Sequence, residues 1–178
     1  MCNDRTAEQN IEWLKRRGLL SRRDFAKLGL GAAFIAALPA AADALNVMEQ
    51  DVTITTTDGE ADCYFVHPAE GSHAAVIIWP DIMGLRPAFR MMGKRLAESG
   101  YSVLVVNPYY RTATAPVIQP GESFSDPEVR PRLIQHYRSL SAETNVTDAR
   151  AFAAWLDAQD AVATSRLIGT MGYCMGGP

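Results

Sequence analysis

The residues best suited to chemistry lie near the end of the chain, in the segment Gly172-Tyr173-Cys174-Met175-Gly176. This segment fits the G-x-S-x-G pattern of a nucleophile elbow, with cysteine in place of serine. In such an elbow a sharp strand-to-helix turn holds the nucleophile at strained backbone angles, and the flanking glycines let neighbouring backbone approach. A thiol suits the position because its thiolate is strongly nucleophilic once its pKa is lowered. The alternative is an ordinary Gly-rich turn that carries an inert, buried cysteine.

Composition and charge exclude several classes of function. The 178-residue chain has a formal net charge of −3, which divides into +2 for residues 1–44 and −5 for residues 45–178. A body of that sign offers no basic patch for nucleic acid. The cysteines Cys2, Cys63 and Cys174 are too few and too scattered for a disulfide framework, and zinc-type ligand spacing is absent. The dinucleotide fingerprint G-x-G-x-x-G is absent as well, so we expect neither metal nor cofactor.

The first 44 residues are predicted to be an export signal. The segment Ser21-Arg22-Arg23-Asp24-Phe25-Ala26-Lys27 resembles the twin-arginine signal of bacteria, and an uncharged apolar run follows at residues 28–38. That run is too short to span a bilayer, and Ala42-Asp43-Ala44 provides a cleavage site, so the mature chain would start near Leu45. We expect a folded periplasmic protein that contacts the twin-arginine translocase and keeps no stable membrane anchor. The alternative is a core or amphipathic helix preceded by chance basic residues.

The rest of the sequence alternates between strand and helix patterns. Apolar periodicity and turn residues predict strands at residues 50–57, 61–66, 74–79, 101–106 and 165–168, of which the first two form a hairpin around Asp58-Gly59. Helical spacing predicts helices at residues 87–99, 128–140 and 141–160. This order predicts an α/β fold with a mostly parallel sheet and an N-terminal β-hairpin.

Three segments together resemble a known family. They are the elbow, the loop Trp79-Pro80-Asp81-Ile82-Met83-Gly84-Leu85, and Asn107-Pro108-Tyr109-Tyr110-Arg111. With them, residues 50–177 resemble the dienelactone hydrolases, or carboxymethylenebutenolidases, which are α/β-hydrolases that open an unsaturated lactone. The resemblance implies an α/β-hydrolase fold, and it makes residues 45–178 the N-terminal part of such a domain, lacking the C-terminal strands and helices.

The same resemblance implies roles for individual residues. It makes Cys174 the nucleophile and places oxyanion-hole backbone amides at Met175 and Ile82. Asp81 occupies the position of a family glutamate that assists thiolate formation, although Asp81 could instead serve only to cap its loop. The family holds a substrate carboxylate with arginines, for which Arg130 and Arg132 are the candidates. Either arginine could equally be a solvated helix residue.

One feature departs from the family pattern. The family triad continues, after the nucleophile, with an aspartate and then a histidine, whereas the histidines of this chain, His67, His73 and His136, all precede Cys174. We therefore expect an N-terminal portion of a hydrolase that cleaves a lactone or ester through Cys174. The competing interpretation is a catalytically incompetent fragment or a non-catalytic binding remnant. A redox thiol protein would need a resolving cysteine, for which only Cys63 is available.

Overall fold

A five-stranded mixed sheet forms the centre of the computed structural model, which describes residues 44–177. The strands lie side by side in the order β1-β2-β4-β3-β5. In chain order the elements are β1 (Val47–Thr56), β2 (Gly59–Pro68), β3 (Ala75–Trp79), α1 (Pro87–Glu98), β4 (Ser102–Val106), α2 (Val129–Tyr137), α3 (Ala142–Asp157), β5 (Gly169–Gly172) and a 3-10 turn (Cys174–Gly176).

Strand pairing confirms the α/β architecture predicted from the sequence. Strands β1 and β2 form an antiparallel hairpin, and β2 continues antiparallel to β4. Strand β3 lies parallel to both β4 and β5, with its last residue, Trp79, opposite Gly172. The carboxyl ends of β3, β4 and β5 therefore meet at one edge of the sheet, which is the edge where open α/β sheets place their sites.

Alternating side chains of β4 divide the core between the two faces of the sheet. Leu104 and Val106 pack with Phe152 and Leu156 of α3, whereas Val103 and Val105 pack with α1. Helix α1 lies closest to β4 at Gly93, where an added Cβ would be only 2.8 Å from Cγ2 of Val105. The result is a three-layer arrangement of helix, sheet and helix, each helix burying one apolar side.

Helix α2 covers a third cluster beyond the carboxyl ends of the strands. Val129 and Leu133 of this helix pack against Tyr109, Val117 and Ile118 of the long loop that follows β4. The next helix, α3, begins with a capping box in which the Ser141 side chain and the Thr144 side chain each bond the other's backbone N–H. The packing of α2 therefore holds the loop that follows β4, and the capping box sets where α3 begins.

The prediction of a strand at residues 165–168 is wrong. Leu167 is 93% exposed, and the chain turns there, with the Arg166 N–H donating to the Ala163 carbonyl at 2.9 Å. The strand that pairs with β3 is β5 instead, from Val76 opposite Gly169 onward. Because pairing with β3 sets the register, the strand starts four residues later and leads almost directly into the elbow.

The predicted export signal, except for its last residue, lies outside the described residues. Ala44, the residue at the predicted cleavage site, is exposed and precedes β1. Within residues 44–177, no helix has both the length and the apolar character that crossing a membrane requires.

Candidate active site

Cys174 has the strained backbone that the elbow pattern predicts. It follows β5 after Tyr173, begins the 3-10 turn, and has a φ of 54°. Among residues 44–177 it is the one non-glycine residue with positive φ, in a region that costs a side-chain-bearing residue about 1 kcal/mol or more. Its side chain is exposed. The turn thus presents a thiol to solvent at the edge where the parallel strands end.

The two glycines of the elbow are required by close backbone contacts. A Cβ on Gly172 would collide with the carbonyl oxygen of Gly176. A Cβ on Gly176 would lie 2.6 Å from the Trp79 carbonyl oxygen and 2.7 Å from that of Pro80. Both positions exclude any side chain, and the second shows that the elbow is pressed against the end of β3. The spacing noted in the sequence therefore has a steric cause.

The loop after β3 holds Asp81 in a hydrogen-bonded turn. Its Oδ1 accepts from the Met83 N–H at 3.0 Å, and its two oxygens accept from the Arg86 guanidinium at 2.7 and 2.9 Å. Both side chains of this ion pair are largely buried, at 23% and 18% exposed. Within residues 44–177 none of the hydrogen bonds of Asp81 goes to Cys174. Asp81 therefore does cap its loop, while its catalytic role stays a prediction.

Two backbone amides at this edge have no acceptor among residues 44–177. Among the described residues, the N–H groups of Ile82 and Met175 donate to no hydrogen-bond partner, whereas the Tyr173 N–H between the two loops donates to the Trp79 carbonyl at 3.1 Å. Met175 and Ile82 also pack on the same buried residue, Tyr109. Backbone N–H groups that have no protein acceptor are what an oxyanion hole needs.

Tyr109 is a site residue that the sequence analysis did not identify. It is fully buried, and its hydroxyl donates to the Ile82 carbonyl oxygen at 3.0 Å and lies 3.1 Å from the Met175 sulfur. Burial raises the pKa of Tyr109, and the negative charges of Asp81 and Cys174 raise it further. The Tyr109 hydroxyl thus contacts both the loop after β3 and the elbow.

The second thiol among residues 44–177, that of Cys63, is buried whereas that of Cys174 is exposed. Cys63 is buried in β2, and burial raises its pKa to about 12. A thiol with that pKa is almost entirely protonated at neutral pH and is a poor nucleophile.

The candidate arginines lie on α2 with partners from the preceding loop. Arg132 donates to Glu122 at 2.6 Å, and the Arg130 guanidinium lies over the Phe124 ring at 5.4 Å. These contacts show how the side chains are held but do not test substrate binding, so that assignment stays a prediction.

The three histidines are all engaged elsewhere. His67 and His73 bond backbone carbonyls near their own turn, at 2.7 and 2.9 Å. His136 bonds the Thr112 hydroxyl at 2.9 Å and stacks on Tyr109 at 5.5 Å between ring centroids. Burial, together with the charge of Arg132, lowers the pKa of His136. Within residues 44–177 no histidine bonds Cys174, and no group of three His, Cys, Asp or Glu side chains could hold a metal ion.

A cleft of about 300 Å³ lies beside the elbow. Its walls come from the end of β3, the start of α3 and the elbow itself, and they include Trp79, Pro80, Leu140, Val146 and Met175. This mixture of apolar side chains and exposed backbone is typical of a small-molecule site.

A mixed sheet flanked by helices, with a strained residue on a strand-to-helix turn at its carboxyl edge, is the architecture of the α/β-hydrolases. Within that class, the model of the dienelactone hydrolase family matches residues 61–178. The chain therefore belongs to the dienelactone hydrolase family. No curated protein sequence matches the chain.

Solved structures share this fold at low sequence identity. A protein from Klebsiella pneumoniae subsp. pneumoniae MGH 78578, assigned by its name to the dienelactone hydrolases, is 21% identical with a TM-score of 0.59, over 74% of this chain and 51% of that one. A dienelactone hydrolase-like promiscuous phosphotriesterase from metagenomic libraries is 21% identical with a TM-score of 0.51, over 73% and 50%. A cold-adapted esterase from an Arctic intertidal metagenomic library is 20% identical with a TM-score of 0.51, over 74% and 53%. The chain spans about half the length of these structures.

Proposed function

We propose that this chain carries the nucleophile and oxyanion hole of a hydrolase that cleaves a lactone or ester, with Cys174 as the nucleophile. The observation that carries the proposal is the elbow itself. Cys174 has a φ of 54° and stands between Gly172 and Gly176, neither of which has room for a Cβ. Such strain persists only where the surrounding structure enforces it, and it clusters at active sites.

The proposed reaction begins with attack of the Cys174 thiolate on the carbonyl carbon of the substrate. The carbonyl electrons move to oxygen, and the amides of Met175 and Ile82 stabilise the resulting oxyanion. Collapse of the tetrahedral intermediate breaks the carbon–oxygen bond and makes Cys174 a thioester, and the alkoxide takes up the proton that the thiol gave up when the thiolate formed. Water then attacks the thioester and releases the carboxylic acid and the thiol. In a lactone the alcohol and the acid remain parts of one product.

Asp81 is proposed to assist thiolate formation, as its position in the family implies. In the structure both of its oxygens accept hydrogen bonds from Arg86. A carboxylate has about four acceptor positions, so the pair with Arg86 leaves room on Oδ2 for a proton from Cys174. Arg130 and Arg132 are proposed to hold a substrate carboxylate. Arg132 donates to Glu122 through Nη2, and its guanidinium has further N–H groups for a substrate.

A second candidate function is a binding or catalytically incompetent remnant. The observation that favours it is the engagement of His67, His73 and His136 with partners other than Cys174. Without an imidazole at the nucleophile, a thiolate lacks its general base, and the oxyanion hole alone gives only residual catalysis.

Turnover of p-nitrophenyl acetate by the purified chain separates the two candidates, with Cys174→Ala as the control. Sustained release of p-nitrophenol that Cys174→Ala abolishes supports the hydrolase. One equivalent of p-nitrophenol, released as Cys174 becomes acylated and then no more, supports a nucleophile without deacylation. Equal rates in both chains contradict the proposal.

We also propose that the chain is exported to the periplasm by the twin-arginine translocase and cleaved near Ala44. The order of twin arginines, apolar run and small-residue cleavage site supports this.

A further inference from the structure

Tyr109 joins the two loops that carry the candidate oxyanion amides. Ile82 belongs to the loop after β3, and Met175 belongs to the elbow after β5. The Tyr109 hydroxyl lies 3.0 Å from the Ile82 carbonyl oxygen and 3.1 Å from the Met175 sulfur. A hydroxyl has one proton, so the carbonyl, which is the stronger acceptor, takes the hydrogen bond and the thioether remains in contact.

The backbone and ring of Tyr109 are themselves held firmly. Its N–H donates to Oδ1 of the fully buried Asn107 at 3.0 Å, and its carbonyl accepts from the Thr112 and Ala113 N–H groups at 2.8 and 2.9 Å. A Cβ on Gly84 would lie 3.4 Å from the ring, so the loop that carries Ile82 also packs against the ring. These backbone hydrogen bonds and the packing of the ring therefore fix the position of the Tyr109 hydroxyl.

The hydroxyl also stays protonated, because burial and two neighbouring negative charges raise the pKa of Tyr109. It remains a hydrogen-bond donor throughout the pH range in which a thiolate forms. Nothing in the proposed reaction consumes this proton.

We propose that Tyr109 is a positioning residue that fixes the separation and orientation of the Ile82 and Met175 amides, and so sets the oxyanion hole. This inference rests on the proposed hydrolase function. It assigns Tyr109 no contact with substrate. Removing the hydroxyl releases the Ile82 carbonyl and leaves it without this donor at a partly buried position. The Ile82 amide then loses its fixed direction.

The test compares two reactions of Cys174 in the full chain. Acylation by p-nitrophenyl acetate forms an oxyanion, whereas alkylation by iodoacetamide needs the thiolate but forms no oxyanion. The ratio of the two rates, read on the Cys174 peptide by mass spectrometry, therefore reports oxyanion stabilisation independently of the thiol pKa. The ratio in urea provides the value for a thiol without an oxyanion hole. Sucrose in the native reactions favours the folded state of every variant.

Tyr109→Phe is compared with Tyr110→Phe. The Tyr110 hydroxyl also bonds a buried partner, Asp148 at 2.7 Å, but within residues 44–177 it makes no hydrogen bond to Ile82 or Met175. We expect Tyr109→Phe to lower the ratio about tenfold and Tyr110→Phe to leave it unchanged. The tenfold loss is smaller than the fall in kcat of about 10²–10³ that follows removal of a whole oxyanion-hole donor, because Tyr109→Phe only displaces the donors.

The possible results distinguish the role of Tyr109 from the existence of the oxyanion hole. An unchanged ratio in Tyr109→Phe, with the parent well above its value in urea, overturns the role of Tyr109 and leaves the hydrolase proposal standing. Equal losses in both variants overturn it too, because the effect would then be a general loss of stability. A parent ratio no higher than in urea overturns the oxyanion hole and this inference together. Protection of Cys63 from iodoacetamide confirms that each variant is folded.

Discussion

The substitution Gly176→Ala tests the steric basis of the elbow. The added Cβ would lie 2.6 Å from the Trp79 carbonyl oxygen, 2.7 Å from the Pro80 carbonyl oxygen and 2.9 Å from the Trp79 Cβ. Two of these atoms are backbone at the end of β3, so they cannot rotate away as a flexible side chain could. Gly176 has no positive φ, which makes its cost one of space alone. Overpacking of this kind costs about 1–3 kcal/mol.

The elbow rather than the whole sheet would absorb that cost. The elbow is attached to the rest of the fold by the Tyr173 N–H bond to Trp79, by edge-to-face packing of Tyr173 on Phe89 of α1, and by the contact of Met175 with Tyr109. A cost of about 1.4 kcal/mol changes an equilibrium tenfold, so the elbow of Gly176→Ala should open about 10 to 100 times more often. Hydrogen exchange of the Tyr173 amide measures this opening directly.

Gly169→Ala is the matched control within β5. A Cβ there would lie 3.5 Å from Cγ2 of Val76, which is ordinary van der Waals contact, and Gly169 also has no positive φ. We expect unchanged exchange at Tyr173 and a gain of up to about 1 kcal/mol in the free energy of unfolding. If both alanines change the exchange of Tyr173 equally, or if neither does, the steric account of the elbow is refuted.

Three further predictions concern the thiols, the core and the export signal. Burial raises the pKa of Cys63 to about 12, so iodoacetamide at pH 8 should alkylate Cys174 in the native chain and reach Cys63 only after unfolding. Peptide masses report which cysteine is alkylated, and rapid labelling of Cys63 in the native chain would contradict this. The Asp148 side chain is 2% exposed and accepts from Arg111 at 2.6 and 2.9 Å. Asp148→Ala should therefore lower the free energy of unfolding, measured in urea, by about 3–5 kcal/mol. A loss below about 1 kcal/mol would show that the pair is dispensable. If residues 1–44 are the proposed export signal, replacing the Arg22-Arg23 pair by Lys-Lys should retain the chain uncleaved in the cytoplasm on cell fractionation. Unchanged export would exclude the twin-arginine route.

The elbow could be predicted from the sequence because its constraint is local. Two glycines and a nucleophile at fixed spacing produce the turn, and the structure shows that Gly172 and Gly176 have no room for a Cβ. The central strands were equally predictable, since continuous apolar runs such as residues 101–106 have few alternatives to a buried strand.

Other features depend on tertiary contacts and could not be predicted locally. The segment at residues 169–172 has little intrinsic strand preference, and it becomes β5 only because it pairs with β3. Tyr109 lies just beyond the strand predicted at residues 101–106, and its position between the two loops emerges only because the Ile82 carbonyl oxygen and the Met175 sulfur meet at its hydroxyl. The ion pair between Asp81 and Arg86 likewise depends on how the loop turns at Gly84, which has a φ of 70°.

The site of acylation is the most direct test of the central claim that Cys174 is an activated acyl acceptor. The native chain is exposed briefly to p-nitrophenyl acetate and digested, and the modified peptide is identified by mass spectrometry. We predict a thioester on Cys174 that forms faster than in the same chain unfolded in urea, with Cys63 unmodified and no thioester in Cys174→Ala. Acylation spread over lysines, or a Cys174 rate no higher than in urea, would contradict the account.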